Sequence, residues 1–159
     1  MGREIERKFL VKDDSWRQSA EPGKPYVQGY ISVVPERIVR VRTTGEKAVV
    51  TLKGKHEGLG RDEFEYPIPL EDARRILDTM CICPLIEKTR YIVKADGMKW
   101  EIDEFARENE GLVIAEVELE SENQEVRLPA WVGEEVTRDY RYSNASLVRE
   151  PYKNWSRRN

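Results

Sequence analysis

The feature that most constrains this chain is how its strand-forming segments divide charge between two faces. Successive side chains of an extended strand point to opposite sides. Glu4, Glu6 and Lys8 therefore share one side of the first segment, and Ile5, Phe9 and Val11 the other. Arg40 and Arg42 oppose Val39 and Val41, and Lys53 falls with Thr51 and Val49, opposite Val50 and Leu52. Arg61, Glu63 and Glu65 oppose Phe64, Tyr66 and Ile68, while Lys88 and Arg90 oppose Tyr91 and Val93. Glu101 and Asp103 oppose Trp100 and Ile102, and Glu116, Glu118 and Glu120 oppose Ala115, Val117 and Leu119. In any one strand this reads most simply as a sheet with a wet side and a core side. Across the set that reading weakens. Wet faces usually mix Thr, Ser, Gln and Lys, whereas here acids recur in pairs and bases recur in pairs.

Alternating segments run near residues 4–11, 26–33, 38–43, 48–53, 63–68, 89–94, 99–105 and 114–120. Turn chemistry separates them at Thr44-Gly45-Glu46, at Asp96-Gly97 and in the glycine-bearing stretch 54–60. Asp-Gly between two alternating runs is a strong hairpin signal. One segment, 71–80, has helical spacing of Ala73, Ile76, Leu77 and Met80. A second short helix is expected after Ser143-Asn144, and a third turn near 122–126. Eight short strands in 159 residues predict a mainly β fold that closes into an antiparallel barrel, which removes sheet edges. A few helices packed outside would cover the apolar faces and leave the charged faces lining a lumen. The domain is expected over 1–150, with 151–159 as a solvated tail.

Such a lumen cannot be dry, because moving an ion into a low-dielectric interior costs several kcal/mol even after relaxation. Its charges need water, metal ions and a polyanion to offset one another. Paired glutamates are hard oxygen ligands of the kind Mg²⁺ and Mn²⁺ prefer. Paired arginines and lysines donate to phosphoryl oxygens. Together they describe a site for a metal-bound phosphate chain.

Composition excludes several classes. Charged residues make up 36% of the chain, against roughly a quarter in average proteins. Yet 27 basic and 30 acidic residues leave a net charge of only -3, so the one-sided basic footprint of a nucleic-acid binder is missing. No apolar run approaches the roughly 18 residues that span a bilayer, and the first residues lack the apolar stretch of a signal peptide. Cys81 and Cys83 have neither zinc-ligand nor redox spacing. The expectation is a cytoplasmic monomer or homodimer that binds a small molecule, not nucleic acid or membrane.

The opening Glu4-Ile5-Glu6-Arg7-Lys8 resembles the Glu-x-Glu-x-Lys signature of the CYTH, or triphosphate tunnel metalloenzyme, superfamily. Further landmarks follow in order: Gln28-Gly29-Tyr30, Arg40-Val41-Arg42, Thr51-Leu52-Lys53, Arg61-x-Glu63-x-Glu65, Glu87 to Tyr91, Glu101-Ile102-Asp103 and Glu116-Val117-Glu118-x-Glu120. Glu135-Val136-Thr137 and Arg141-Tyr142-Ser143-Asn144 resemble the closing motif, except that Asp139-Tyr140-Arg141 lacks the Lys several relatives carry. Arg138 is a candidate substitute. The resemblance extends from about Glu4 to Leu147, and among its members the chain looks most like the small bacterial inorganic tripolyphosphatases.

That resemblance implies a closed eight-stranded antiparallel barrel around a tunnel, and Mg²⁺- or Mn²⁺-dependent hydrolysis of inorganic triphosphate, with nucleoside triphosphatase side activity as an extension. By the same resemblance Glu4, Glu6, Glu116 and Glu118 would hold metal, with Glu63, Glu65, Glu101, Asp103 and Glu120 as further acidic candidates. Lys8, Arg40, Arg42, Lys53, Lys88 and Arg90 would grip phosphates. Glu63, Glu65 or Glu118 would take the proton of the attacking water, and Lys8 and Arg40 would act in catalysis. The rival readings are a class IV-type adenylyl cyclase, a thiamine triphosphatase and a non-catalytic polyphosphate-binding module. His56, the sole histidine, reads as a surface-loop residue, Trp100 as core, Tyr30 as packing or substrate approach, and the two cysteines as inert, partly buried thiols.

Overall fold

A computed structural model describes residues 2–155 of the chain. Nine strands form one antiparallel sheet: β1 (Gly2–Val11), β2 (Lys24–Val34), β3 (Arg37–Thr44), β4 (Lys47–Lys53), β5 (Gly60–Pro67), β6 (Ile82–Ala95), β7 (Met98–Phe105), β8 (Val113–Glu118) and β9 (Val132–Glu135). Their order is β5-β4-β3-β2-β6-β7-β8-β1-β9, and β5 also pairs with β1. That last pairing closes eight strands into a barrel. β5 meets the first half of β1 (Ile5 opposite Gly60), and β9 pairs with its second half near Phe9 and Val11. Strand β9 was not expected. It is four residues long, too short for alternation to stand out from the surrounding loop.

Local chemistry explains the hairpins. Ala95 pairs with Met98, leaving a two-residue loop of Asp96 (φ 52°) and Gly97 (φ 78°). Both central residues adopt the left-handed backbone that type I′ turns require, which Asp-Gly tolerates best. The β3–β4 turn uses Gly45 at φ 61° between paired Thr44 and Lys47. The first helix, α1 (Leu70–Thr79), lies where helical spacing placed it, and α2 (Asn144–Arg149) starts at the Ser143-Asn144 signal. A turn lies at residues 122–123, within the stretch where one was expected.

Three cores result. Outside β6, β7, β8 and β1, Phe9, Val93, Trp100, Ile102 and Val117 pack under Trp16 and Trp131. Outside β2–β4, Val41 and Ala48 pack against Ala73 and Leu77 of α1. The third core lies at one end of the barrel interior. Leu147 and Val148 of α2 pack there with Tyr30, Ile38, Ile86, Phe105, Leu112 and Ile114. Ile38 pairs with Lys53, Ile86 with Gln28 and Phe105 with Lys88, so these apolar residues share the face of the charged ones.

Two expectations are corrected here. Helices do not cover the whole outer surface: Leu52, Phe64 and Tyr66 remain 40%, 42% and 54% exposed, because α1 packs mainly against β3 and β4. And α2 is not an outer helix but a stopper in one end of the lumen. The expected tail also divides: Pro151 is buried, and Trp155 packs edge-on against Tyr142 and Tyr152. Residues 156–159 of that tail lie outside the described residues. No helix among the described residues is long and apolar enough to cross a membrane.

Candidate active site

Cross-strand neighbours share a face, and the register brings the ionisable faces together. Glu6 stands opposite Glu118 and Lys8 opposite Glu116 across β1 and β8. Glu101 meets Glu116 across β7 and β8, and Arg90 meets Asp103 across β6 and β7. Arg40, Thr51 and Glu65 form one row across β3, β4 and β5, while Lys53 lies opposite Glu63. All of these faces turn inward around a cavity of about 630 Å³. Glu4, Glu6, Lys8, Arg40, Arg42, Lys53, Glu63, Glu65, Lys88, Arg90, Glu116 and Glu118 all line it.

The charges fall into neighbouring clusters. Glu4 accepts from Lys53 Nζ (3.2 Å) and Arg61 Nε (3.2 Å). Burial pushes its carboxyl up, but those two cations outweigh burial and bring it down to about 2. Glu6 fares differently. Burial, then Glu116 and Glu4, push it up to about 8. Lys8 reaches Glu116 at 3.5 Å. Arg90 forks onto both oxygens of Asp103, at 2.7 and 2.9 Å, and touches Glu101 at 3.2 Å. Lys88 reaches Asp103 at 2.8 Å; burial lowers its ammonium to about 8 against the pull of that carboxylate. Burial works against the Asp103 charge, yet Lys88 and Arg90 hold it well below the usual carboxylate range.

Arg40 and Arg42 converge on Glu65 at 3.5 and 3.7 Å, and Thr51 Oγ1 donates to the same carboxylate at 2.9 Å. The Nε groups of both arginines are buried with no acceptor among the described residues. Arg42 is pulled down by burial and by the like charges of Arg40 and Arg90. Donor capacity here exceeds what the protein satisfies, as an anion-binding wall requires.

Some residues stand apart from their expected places. Asp103 is enclosed by Lys88 and Arg90 and does not line the cavity. Glu120 lies past the end of β8 on the exposed surface, its backbone bonded to Gln124. His56 is not a plain surface residue: it lines the cavity with its ring centroid 5.7 Å from that of Tyr140. Burial and Arg61 lower it to about 4. Tyr30 is buried in the apolar layer under α2. Cys81 is half-buried, but Cys83 is exposed. Arg138 lines the cavity, whereas Arg141 turns out onto Asp139 and the Trp155 ring. Trp100 is fully buried, as expected.

The structure adds Arg61, Thr51, Gln28, Tyr26 and Asn144. Tyr26 lies 4.9 Å from both the Arg42 and the Arg90 guanidinium carbons. Arg61 and Thr51 share the alternating faces and were legible from them. Asn144 was not, since nothing local says that α2 enters the lumen.

The donor set fits a hard divalent cation. Glu4, Glu6, Glu116 and Glu118 bring carboxylate oxygens to one wall, and burial with Glu116 and Glu4 opposes the charge of Glu6 more than Lys8 and Lys53 favour it. Among the described residues no three acids are drawn into a tight cluster. Lysine and arginine hold Glu4 and Glu116 instead.

A CYTH domain matches residues 2–152. An inorganic triphosphatase of Acetivibrio thermocellus is 49% identical over 155 residues, covering 98% of this chain and 99% of that protein. An inorganic triphosphatase of Nitrosomonas europaea is 38% identical, covering 91% and 96%. A crystal structure of an inorganic triphosphatase superposes with a TM-score of 0.66 at 35% identity, over 91% of this chain and 96% of that one. With the closed barrel and its inward-facing charged strands matched along nearly the whole chain, this protein belongs to the CYTH domain family.

Proposed function

We propose that this protein is a divalent-metal-dependent hydrolase that cleaves a phosphoanhydride bond of inorganic triphosphate inside the barrel. The observation that carries the reading is the meeting of Lys8, Arg40, Arg42, Lys53, Lys88 and Arg90 with Glu4, Glu6, Glu116 and Glu118 around one cavity. The two relatives named inorganic triphosphatase support it. Charged side chains from seven of the strands line the cavity, and an inorganic phosphate chain needs no further group for recognition.

Glu4, Glu6, Glu116 and Glu118 would hold Mg²⁺ or Mn²⁺, which when bound supplies Lewis-acid polarisation of phosphoryl oxygens. The basic side chains orient the chain and stabilise charge developing on the transferred phosphoryl group and on the departing diphosphate. Lys8 and Arg40 act closest to that charge in this reading. The proton of the attacking water goes to a carboxylate. Glu65 is committed to Thr51, Arg40 and Arg42, which makes it a poor acceptor. Glu63 and Glu118 are better suited. Burial and then Glu4 raise Glu63; burial, Glu4 and Glu63 raise Glu118. A raised carboxyl is a stronger base once ionised.

The test is product identification with tripolyphosphate, ATP and thiamine triphosphate, each with Mg²⁺ or Mn²⁺. Orthophosphate and pyrophosphate, released chiefly from tripolyphosphate, is the expected result. Cyclic AMP with pyrophosphate would replace the reading by a cyclase, preferential thiamine triphosphate cleavage by a thiamine triphosphatase, and binding without turnover by a polyphosphate-binding module.

A further inference from the structure

Lys88 projects from β6 into the cavity with its side chain only 2% exposed. Its ammonium carries three donors. One goes to Asp103 Oδ2 at 2.8 Å and a second to Asn144 Oδ1 at 2.9 Å. The Phe105 ring lies 5.5 Å from Nζ on a further side. Asp103 is a shared partner, because Arg90 donates to both of its oxygens. Asn144 offers a neutral acceptor in a second direction, so two of the three ammonium donors have fixed partners and the direction of the third follows from them.

Asn144 is itself held firmly. Its Oδ1 also accepts from Gln28 Nε2 at 3.0 Å, and Gln28 is wholly buried, with Nε2 within 3.2 Å of the Tyr30 hydroxyl. The backbone of Asn144 opens α2, whose preceding Ser143 caps it by accepting from Ser146 N at 3.1 Å. Leu147 and Val148 anchor the same helix in the apolar end of the lumen. A side chain on so rigid a support keeps its direction. Asn144 Nδ2 carries no hydrogen bond among the described residues, and the residue lines the cavity.

We propose that Asn144 is a positioning residue: its side-chain carbonyl, oriented by Gln28, aims the remaining Lys88 donor at the bound phosphate chain. What Lys88 touches rests on the triphosphate reading of the cavity. The juxtaposition of Gln28, Asn144 and Lys88 is independent of it.

The experiment is a double-mutant cycle on Asn144→Ala and Lys88→Ala, read in two ways. Calorimetry gives the affinity for tripolyphosphate in EDTA, and steady-state kinetics with Mg²⁺ gives kcat and KM. Asn144→Ala is expected to weaken affinity about tenfold, the worth of one charge-assisted hydrogen bond, and to cost less than about twofold when Lys88 is already alanine. Asn144→Ser keeps a polar residue at the helix start but is too short to reach Lys88, so it should reproduce the alanine effect even if Asn144→Ala folds poorly. Unchanged affinity in a folded Asn144 variant, or equal losses with and without Lys88, would overturn the proposal. Wild-type protein that binds tripolyphosphate without cleaving it removes the hydrolase reading and leaves this inference standing on affinity. Wild-type protein that does neither overturns both.

Discussion

Glu6 shares its part of the lumen with Glu116 and Glu4, and burial together with those two carboxylates holds it up to about 8. Such a residue works against the metal-free fold and for a cation-loaded one. Glu6→Gln is therefore expected to abolish phosphate release yet raise the melting temperature in EDTA by about a few degrees. Scanning calorimetry beside a phosphate assay checks both, and a fully active variant removes Glu6 from the site. Arg40 is the mirror case: 7% exposed, it faces Thr51 and Glu65 with its Nε unsatisfied. Arg40→Ala should lower kcat/KM on the order of a hundredfold or more by removing fixed positive charge at the phosphates. An unchanged rate would exclude Arg40 from the chemistry.

Among the elements, α2 does more than its six residues suggest, since it closes one lumen end and carries Asn144. Ser143→Ala removes its cap and should cost about 1 kcal/mol of stability, visible as a lower urea midpoint with the same slope. Leu147 is fully buried under the barrel end, so Leu147→Ala should cost about 2–5 kcal/mol. If Leu147→Ala left the midpoint unchanged, α2 would not be seated in the lumen in solution. Strand β1 is the other element with a double duty. It pairs with β8 on one edge and with β5 and then β9 on the other, so Glu4 lies opposite Arg61 of β5 and Glu6 opposite Glu118 of β8.

At the scale of the whole molecule, closure concentrates charge, and pH reads the result. Burial lowers Lys88 to about 8 although Asp103 stands beside it. Its proton is lost as pH rises through that value, so tripolyphosphate affinity in EDTA should fall between about pH 7 and 9, and Lys88→Met should flatten that fall. The loss is not unfolding. A lysine whose folded value lies below its unfolded one leaves the unfolded chain holding more protons between about 8 and the ordinary 10.5, so stability from this group rises across that window. Asp103 has the opposite sense: its folded value is depressed below 3.8, so its stabilisation is present above that value and lost as pH falls through and below it. An affinity that held steady to pH 9 would show that Lys88 does not meet the phosphate chain as an ammonium. Which charged residues share a face was legible in the chain, because side-chain alternation in a strand is local and the pairs Glu4 and Glu6, Arg40 and Arg42, and Glu116 and Glu118 each follow from it. Hairpin positions such as Asp96-Gly97 were legible for the same reason. Folding in three dimensions settles which acid meets which base, that Asp103 is spent on Lys88 and Arg90, that β9 takes over an edge of β1, and that α2 stoppers the lumen. Those outcomes depend on register between strands far apart in the chain and on the shape of the closed barrel, and a local period of two carries neither.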